Sequence, residues 1–162
     1  RGCLHLAMHP DPKHTPVLLP AVEDEAESVA AAAVQALGAC GHATDAGALT
    51  ELMRVGDEPL QLEAALALVQ LDDPSGIAAL ERLAYSRDVA VRRRVAEKMG
   101  QLSDPAFTPT LIRLLDDRVS VIRAALTALP QTVGEDKSLS PDGTQPTTTE
   151  RVRRWKAWYA SR

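Results

Sequence analysis

Four ten-residue strings in this chain share one pattern: VAAAAVQALG (29–38), LQLEAALALV (60–69), VRRRVAEKMG (91–100) and VIRAALTALP (121–130). Their starts lie 31, 31 and 30 residues apart. In every copy the first, fifth, sixth and ninth places are apolar, so Val91, Val95, Ala96 and Met99 correspond to Val121, Ala125, Leu126 and Leu129. That spacing lines up one face of a helix. A second ladder keeps the same period. Leu18, Leu49, Leu80 and Leu111 are each 31 residues apart, and Leu52, Leu83 and Leu114 follow in step. Two ladders sharing one period define a helix–turn–helix unit repeated along the chain.

Asp73-Pro74 and Asp104-Pro105 mark two of the unit entries, and Asp45 begins another without the proline. Aspartate there can accept hydrogen bonds from the free N–H groups of a helix's first turn. Proline fits next, because the N–H it lacks would have no partner at that place. One such unit has too little apolar surface to fold alone, so neighbours must stack and share a core. The expected fold is all-α, a right-handed α-α solenoid.

An Asp-Pro entry, an apolar helix, a turn and a second helix of the form V-R-x-x-A-A-x-A-L-G resemble the HEAT-like repeat, in particular the short kind first described in phycobilisome lyases. The third copy carries Val91-Arg92, Ala96 and Met99-Gly100, whereas the second has Gln61 and the fourth Ile122 in the arginine's place. The resemblance covers residues 10 to 133. It implies the fold; it does not choose a function, since such repeats serve scaffolds, lyases, hydroxylases and DNA-repair enzymes.

The same period divides the chain. Projected back from Val34 and Leu37 it lands on Cys3 and Leu6, so residues 1–9 read as the remnant of a preceding repeat helix, and the chain reads as a section of a longer array. Residues 10–134 form the array of about four helix pairs. The polar, Pro- and Gly-containing stretch 135–149 reads as a linker. Residues 150–162 form a C-terminal amphipathic capping helix, entered through a capping box at Thr147 and Glu150. Val152, Trp155 and Tyr159 fall on one face of it, with Trp158 at the edge. Trp155 and Tyr159 are expected against the last repeat, beside Leu126 or Leu129.

Aromatic residues make up 3% of the chain, so its core must be aliphatic and alanine-rich. No run approaches the roughly 20 apolar residues that span a bilayer, which excludes membrane insertion through a helix of this segment. Cys3 and Cys40 make no disulfide framework and read as inert packing. The chain starts with Arg and shows no signal-peptide pattern, so the compartment stays open, with the cytoplasm as default. The net charge of −4 is unevenly spread: residues 1–72 hold three basic and eleven acidic side chains, residues 73–162 fifteen and eleven.

Candidate chemistry is sparse. His5 and His9 have the i, i+4 spacing of a zinc pair, but no third ligand is placed to join them and Pro10 follows at once. None of His5, His9, His14 or His42 precedes a glutamate, as the iron-binding HEAT-like hydroxylases require. A repeat-type DNA glycosylase would need aromatic residues among the repeats to hold an extruded base. The pairs Asp72-Asp73 and Asp116-Asp117 sit where turns need helix caps. The reading is therefore of a non-enzyme without cofactor or metal.

What remains is surface. With the apolar columns fixed, the third place of each copy is expected to face outward (Ala31, Leu62, Arg93, Arg123), as are the fourth (Ala32, Glu63, Arg94, Ala124) and the seventh (Gln35, Leu66, Glu97, Thr127). Arg92 reads as the repeat's own arginine, held in a salt bridge or helix cap. The expected site is a concave second-helix face formed by Leu62, Glu63, Leu66, Arg93, Arg94 and Arg123, with Arg93 and Arg123 unrelieved by any acid in their column. Its expected occupant is a protein or peptide with acidic groups, bound by a monomeric scaffold segment of a larger protein. The alternative is an accessory subunit of a bilin-lyase-type enzyme. Nucleic-acid binding is disfavoured by net charge and the shortage of interleaved aromatics.

Overall fold

The computed structural model describes residues 18, 20–22, 27–40, 46–139 and 146–162. Cys3 and the four histidines, with the predicted helix remnant at 1–9, lie outside the described residues. The described elements are helical throughout: α1 (Glu27–Cys40), α2 (Ala46–Val55), α3 (Glu58–Gln70), α4 (Pro74–Leu83), α5 (Val89–Leu102), α6 (Thr108–Arg113), α7 (Val119–Val133) and α8 (Thr148–Ala160). Short 3₁₀ turns, Pro105–Phe107 and Leu114–Asp116, flank α6. The chain forms two compact units, residues 1–82 and 83–162.

In the first unit α3 packs against both α1 and α2. The core joins Leu18, Val22, Ala33, Val34, Leu37, Leu49, Ala64 and Leu68, with Leu52 and Leu60 half-buried at its edge. The close approach of α1 to α3 is set by Gly38, where an added Cβ would lie 2.8 Å from Cα of Ala67. Asp57 caps α3 through the Leu60 N–H at 3.0 Å, with Pro59 in the first turn. Asp73 accepts from the N–H and hydroxyl of Ser75 at 2.9 and 2.6 Å, and these bonds to its charged form hold its carboxyl below the usual range.

The second unit repeats the arrangement. Its α5 packs along α7, and Gly100 does there what Gly38 does in the first unit, with an added Cβ 2.8 Å from Cα of Ala128. Val91, Val95, Ala96, Met99, Leu111, Leu114, Val121, Ala125, Leu126 and Leu129 are all buried, as both ladders require. Asp88 and Asp104 cap through the N–H groups of Ala90 and Ala106. The first helix of this repeat is broken rather than continuous: Pro109 opens α6 directly after a 3₁₀ turn that buries Phe107. At the head of α7 the cap position is Arg118, which makes no side-chain cap bond.

The terminal helix α8 packs on α6 and α7. Its capping box is formed both ways: Glu150 N–H donates to Thr147 Oγ1 at 3.3 Å, and Thr147 N–H to Glu150 Oε2 at 2.9 Å. Trp155 is fully buried, with Trp158 edge-on at 5.4 Å between ring centres. The expectation for Tyr159 is corrected, because it stays 37% exposed. The second anchor is Arg151 instead, which reaches the carbonyl of Leu126 at 3.1 Å and Ser138 Oγ at 3.0 Å. Ser138, expected within a free linker, is buried, and an Asp136 turn holds its N–H at 2.8 Å. An arginine at the helix start can satisfy carbonyls at the end of a repeat, which a phenol about two turns further along the axis does not reach.

Candidate functional site

The second-helix face differs between the two units. In the second unit, α5 contributes exposed Arg93 and Glu97, and α7 contributes Ser120, exposed Arg123, Ala124 and exposed Thr127; together they line a groove of about 410 Å³. The expected column of unrelieved cations is corrected. Arg93 lies 3.5 Å from Glu97 one turn along its own helix, an i, i+4 pair the column reading passed over. Arg123 makes no ion pair among the described residues. Arg94 is half-buried and leaves the groove to its neighbour. Thr127 spends its hydroxyl on the Arg123 carbonyl at 3.0 Å.

In the first unit the expected site residues do not form an open face. Leu62 is fully buried, Glu63 is 5% exposed, and Leu66 is half-buried. The reason lies in the composition of α3, which is apolar nearly all round, and a helix of that kind is enclosed on more than one side. The exception, Glu63, points at α1 and accepts a hydrogen bond from Gln35 Nε2 at 2.9 Å. Leu62 and Glu63 are inside and Leu66 is half-covered, so the candidate site narrows to the α5–α7 groove.

Arg92 has the structural role expected of it. It holds Asp117 with the Nε and Nη2 edge of the guanidinium, at 2.6 and 2.7 Å, and Nη1 donates to the carbonyls of Ser86 and Arg87 at 2.7 and 3.1 Å. The Arg92 bond holds the Asp117 carboxyl below the usual carboxylate range, helped by the Arg118 N–H. In the second copy Gln61 takes over part of this work, donating to the Gly56 carbonyl at 2.7 Å and accepting from Arg82 at 2.8 Å.

A second concavity went unread in the sequence. Arg113, Leu114, Asp116, Asp117 and Arg118 line a cleft of about 400 Å³ at the turn between α6 and α7. Arg113 lies over the Tyr85 ring, its guanidinium carbon 3.4 Å from the ring centre, and Tyr85 is itself 67% exposed. Asp116 is paired by Lys156 of α8. The one signal in the sequence is Arg118, standing where the second and third copies have Asp57 and Asp88.

Among the described residues no group of three or more His, Cys, Asp or Glu could hold a metal ion, and no helix is long and apolar enough to cross a membrane. No curated protein matches the chain. The family model for HEAT repeats matches residues 49–130, just over half of its length. Matching that model, with repeated helix pairs, Asp caps and close second-helix packing in both units, this chain belongs to the HEAT-repeat family.

Proposed function

We propose that the chain is a non-enzymatic interaction scaffold that binds an acidic segment of another protein along the α5–α7 groove. HEAT repeats commonly serve as such scaffolds, and the string from Val91-Arg92 to Gly100 supports the short, phycobilisome-lyase kind of repeat. The observation that carries the reading is Arg123, exposed in a concave groove beside the Arg93–Glu97 pair and with no counter-ion among the described residues. An incoming carboxylate meets a planar donor fork there without having to displace a buried bond. A duplex or single strand would need a longer basic track with stacking aromatics, and the net charge of −4 works against one.

Titrating a glutamate-rich peptide into the labelled protein tests this. Resonances of Arg93, Arg123 and Thr127 should shift together and saturably. Shifts absent from these three, with binding seen elsewhere, would remove the groove from the account.

A further inference from the structure

The cleft between α6 and α7 shares no lining residue with the α5–α7 groove. Its charges are arranged to leave a surplus of two. Asp117 is held by Arg92 and Asp116 by Lys156, so both acids of the cleft are matched by cations from outside it. The other two charged lining residues are Arg113 and Arg118. Arg113 donates a long 3.5 Å bond to the Ala84 carbonyl and adds a minor Coulombic share to holding Asp117 ionised, and Arg118 makes no ion pair among the described residues. Stacking on Tyr85 holds the Arg113 guanidinium at the cleft lining, where a planar donor fork suits an anionic ligand.

Arg118 is also costly where it stands. Asp57 and Asp88 hold the equivalent cap position with extended backbones and bond the first-turn N–H groups of α3 and α5; Arg118 has the same backbone, φ −67° and ψ 152°, and caps nothing. A cation at a helix N-terminus opposes the helix dipole. A residue that breaks a local rule at the rim of a cleft is where function is to be sought.

We propose that this cleft binds a dianionic phosphate monoester, presented as a phosphorylated serine or threonine of a protein partner. Two guanidinium groups neutralise a phosphate dianion, whereas a carboxylate would leave one of them unmatched. The cleft is open at Asp116 and Arg118, both exposed, which suits a side chain borne on another protein better than a free small molecule needing enclosure.

The test is fluorescence anisotropy with a labelled phosphoserine peptide, its unphosphorylated form and its glutamate form. Arg118→Asp should weaken phosphopeptide binding about tenfold or more while raising the melting temperature, because it restores the cap of the second and third copies. Arg113→Gln should weaken it comparably and Tyr85→Ala by a few-fold. The double reversal Arg93→Glu/Arg123→Glu should leave it within about twofold, which separates this site from the groove of the proposed function. Unchanged affinity in Arg118→Asp, equal binding of the glutamate or unphosphorylated peptide, or loss in the Arg93→Glu/Arg123→Glu protein would each overturn the proposal. So would competition by inorganic phosphate at the peptide's own affinity, or tighter binding of a single-stranded oligonucleotide.

Discussion

Arg92 on the second helix of one repeat grips Asp117 in the turn of the next, 25 residues away, through two parallel bonds of 2.6 and 2.7 Å, with both side chains only 15% exposed. The pair ties the turn before α5 to the turn before α7, because the same guanidinium also takes the carbonyls of Ser86 and Arg87. Removing one partner leaves the other partly buried and unmatched, so Arg92→Ala should cost about 2 to 4 kcal/mol in urea unfolding. Arg92→Lys keeps the charge but not the fork and should recover only part of it.

The same bond sets a pH dependence. The folded-state pKa of Asp117 is depressed, chiefly by Arg92, so its contribution is fully present above the unfolded value of about 4 and is lost as pH falls through the lower folded value. Asp117→Asn should remove that part of the acid sensitivity. An unchanged stability profile between pH 5 and pH 2 in the variant would contradict it.

Gly100 is a contact, not a loose helix end. A methyl there would sit 2.8 Å from Cα of Ala128, and backbone cannot swing aside as a side chain would. Gly100→Ala should therefore destabilise by about 1 to 3 kcal/mol, against the ~0.5 to 1 kcal/mol that alanine ordinarily gains within a helix. Thermal melts that rise in the variant would show the helices free to separate.

Met99, fully buried between the two ladders, should lose about 2 to 5 kcal/mol on truncation to alanine. For α8, Trp155→Ala should cost about 3 to 5 kcal/mol. Trp155→Phe should cost much less, because the buried indole N–H has no hydrogen-bond partner among the described residues. Deleting residues 147–162 should lower the melting temperature and increase dye binding; an unchanged melt would mean that α8 does not support the last repeat.

The apolar columns were legible because a repeat shows its period several times over: Leu49, Leu80, Leu111, Val95 and Met99 are all buried where the register puts them. The polar surface was not, for two physical reasons. Exposure was deduced from place within the repeat, but α3 is apolar beyond its ladder, so Leu62 and Glu63 went inside. Columns between repeats do not fix pairing: Arg93 finds Glu97 along its own helix, and Asp116 finds Lys156 on α8, 40 residues on. The stacking of Arg113 on Tyr85 depends on a tertiary approach that no local spacing announces.

If the α5–α7 groove binds acidic protein segments, as proposed, Arg93 and Arg123 carry the interaction. The most direct measurement compares the affinity of the wild type and of Arg93→Glu/Arg123→Glu for a glutamate-rich peptide at fixed ionic strength, with Glu81→Lys as a control away from the groove and circular dichroism to check folding. The account predicts unchanged helicity, a loss of about tenfold to a hundredfold in the double reversal, and no loss in the control. Affinity unchanged by the double reversal would contradict it.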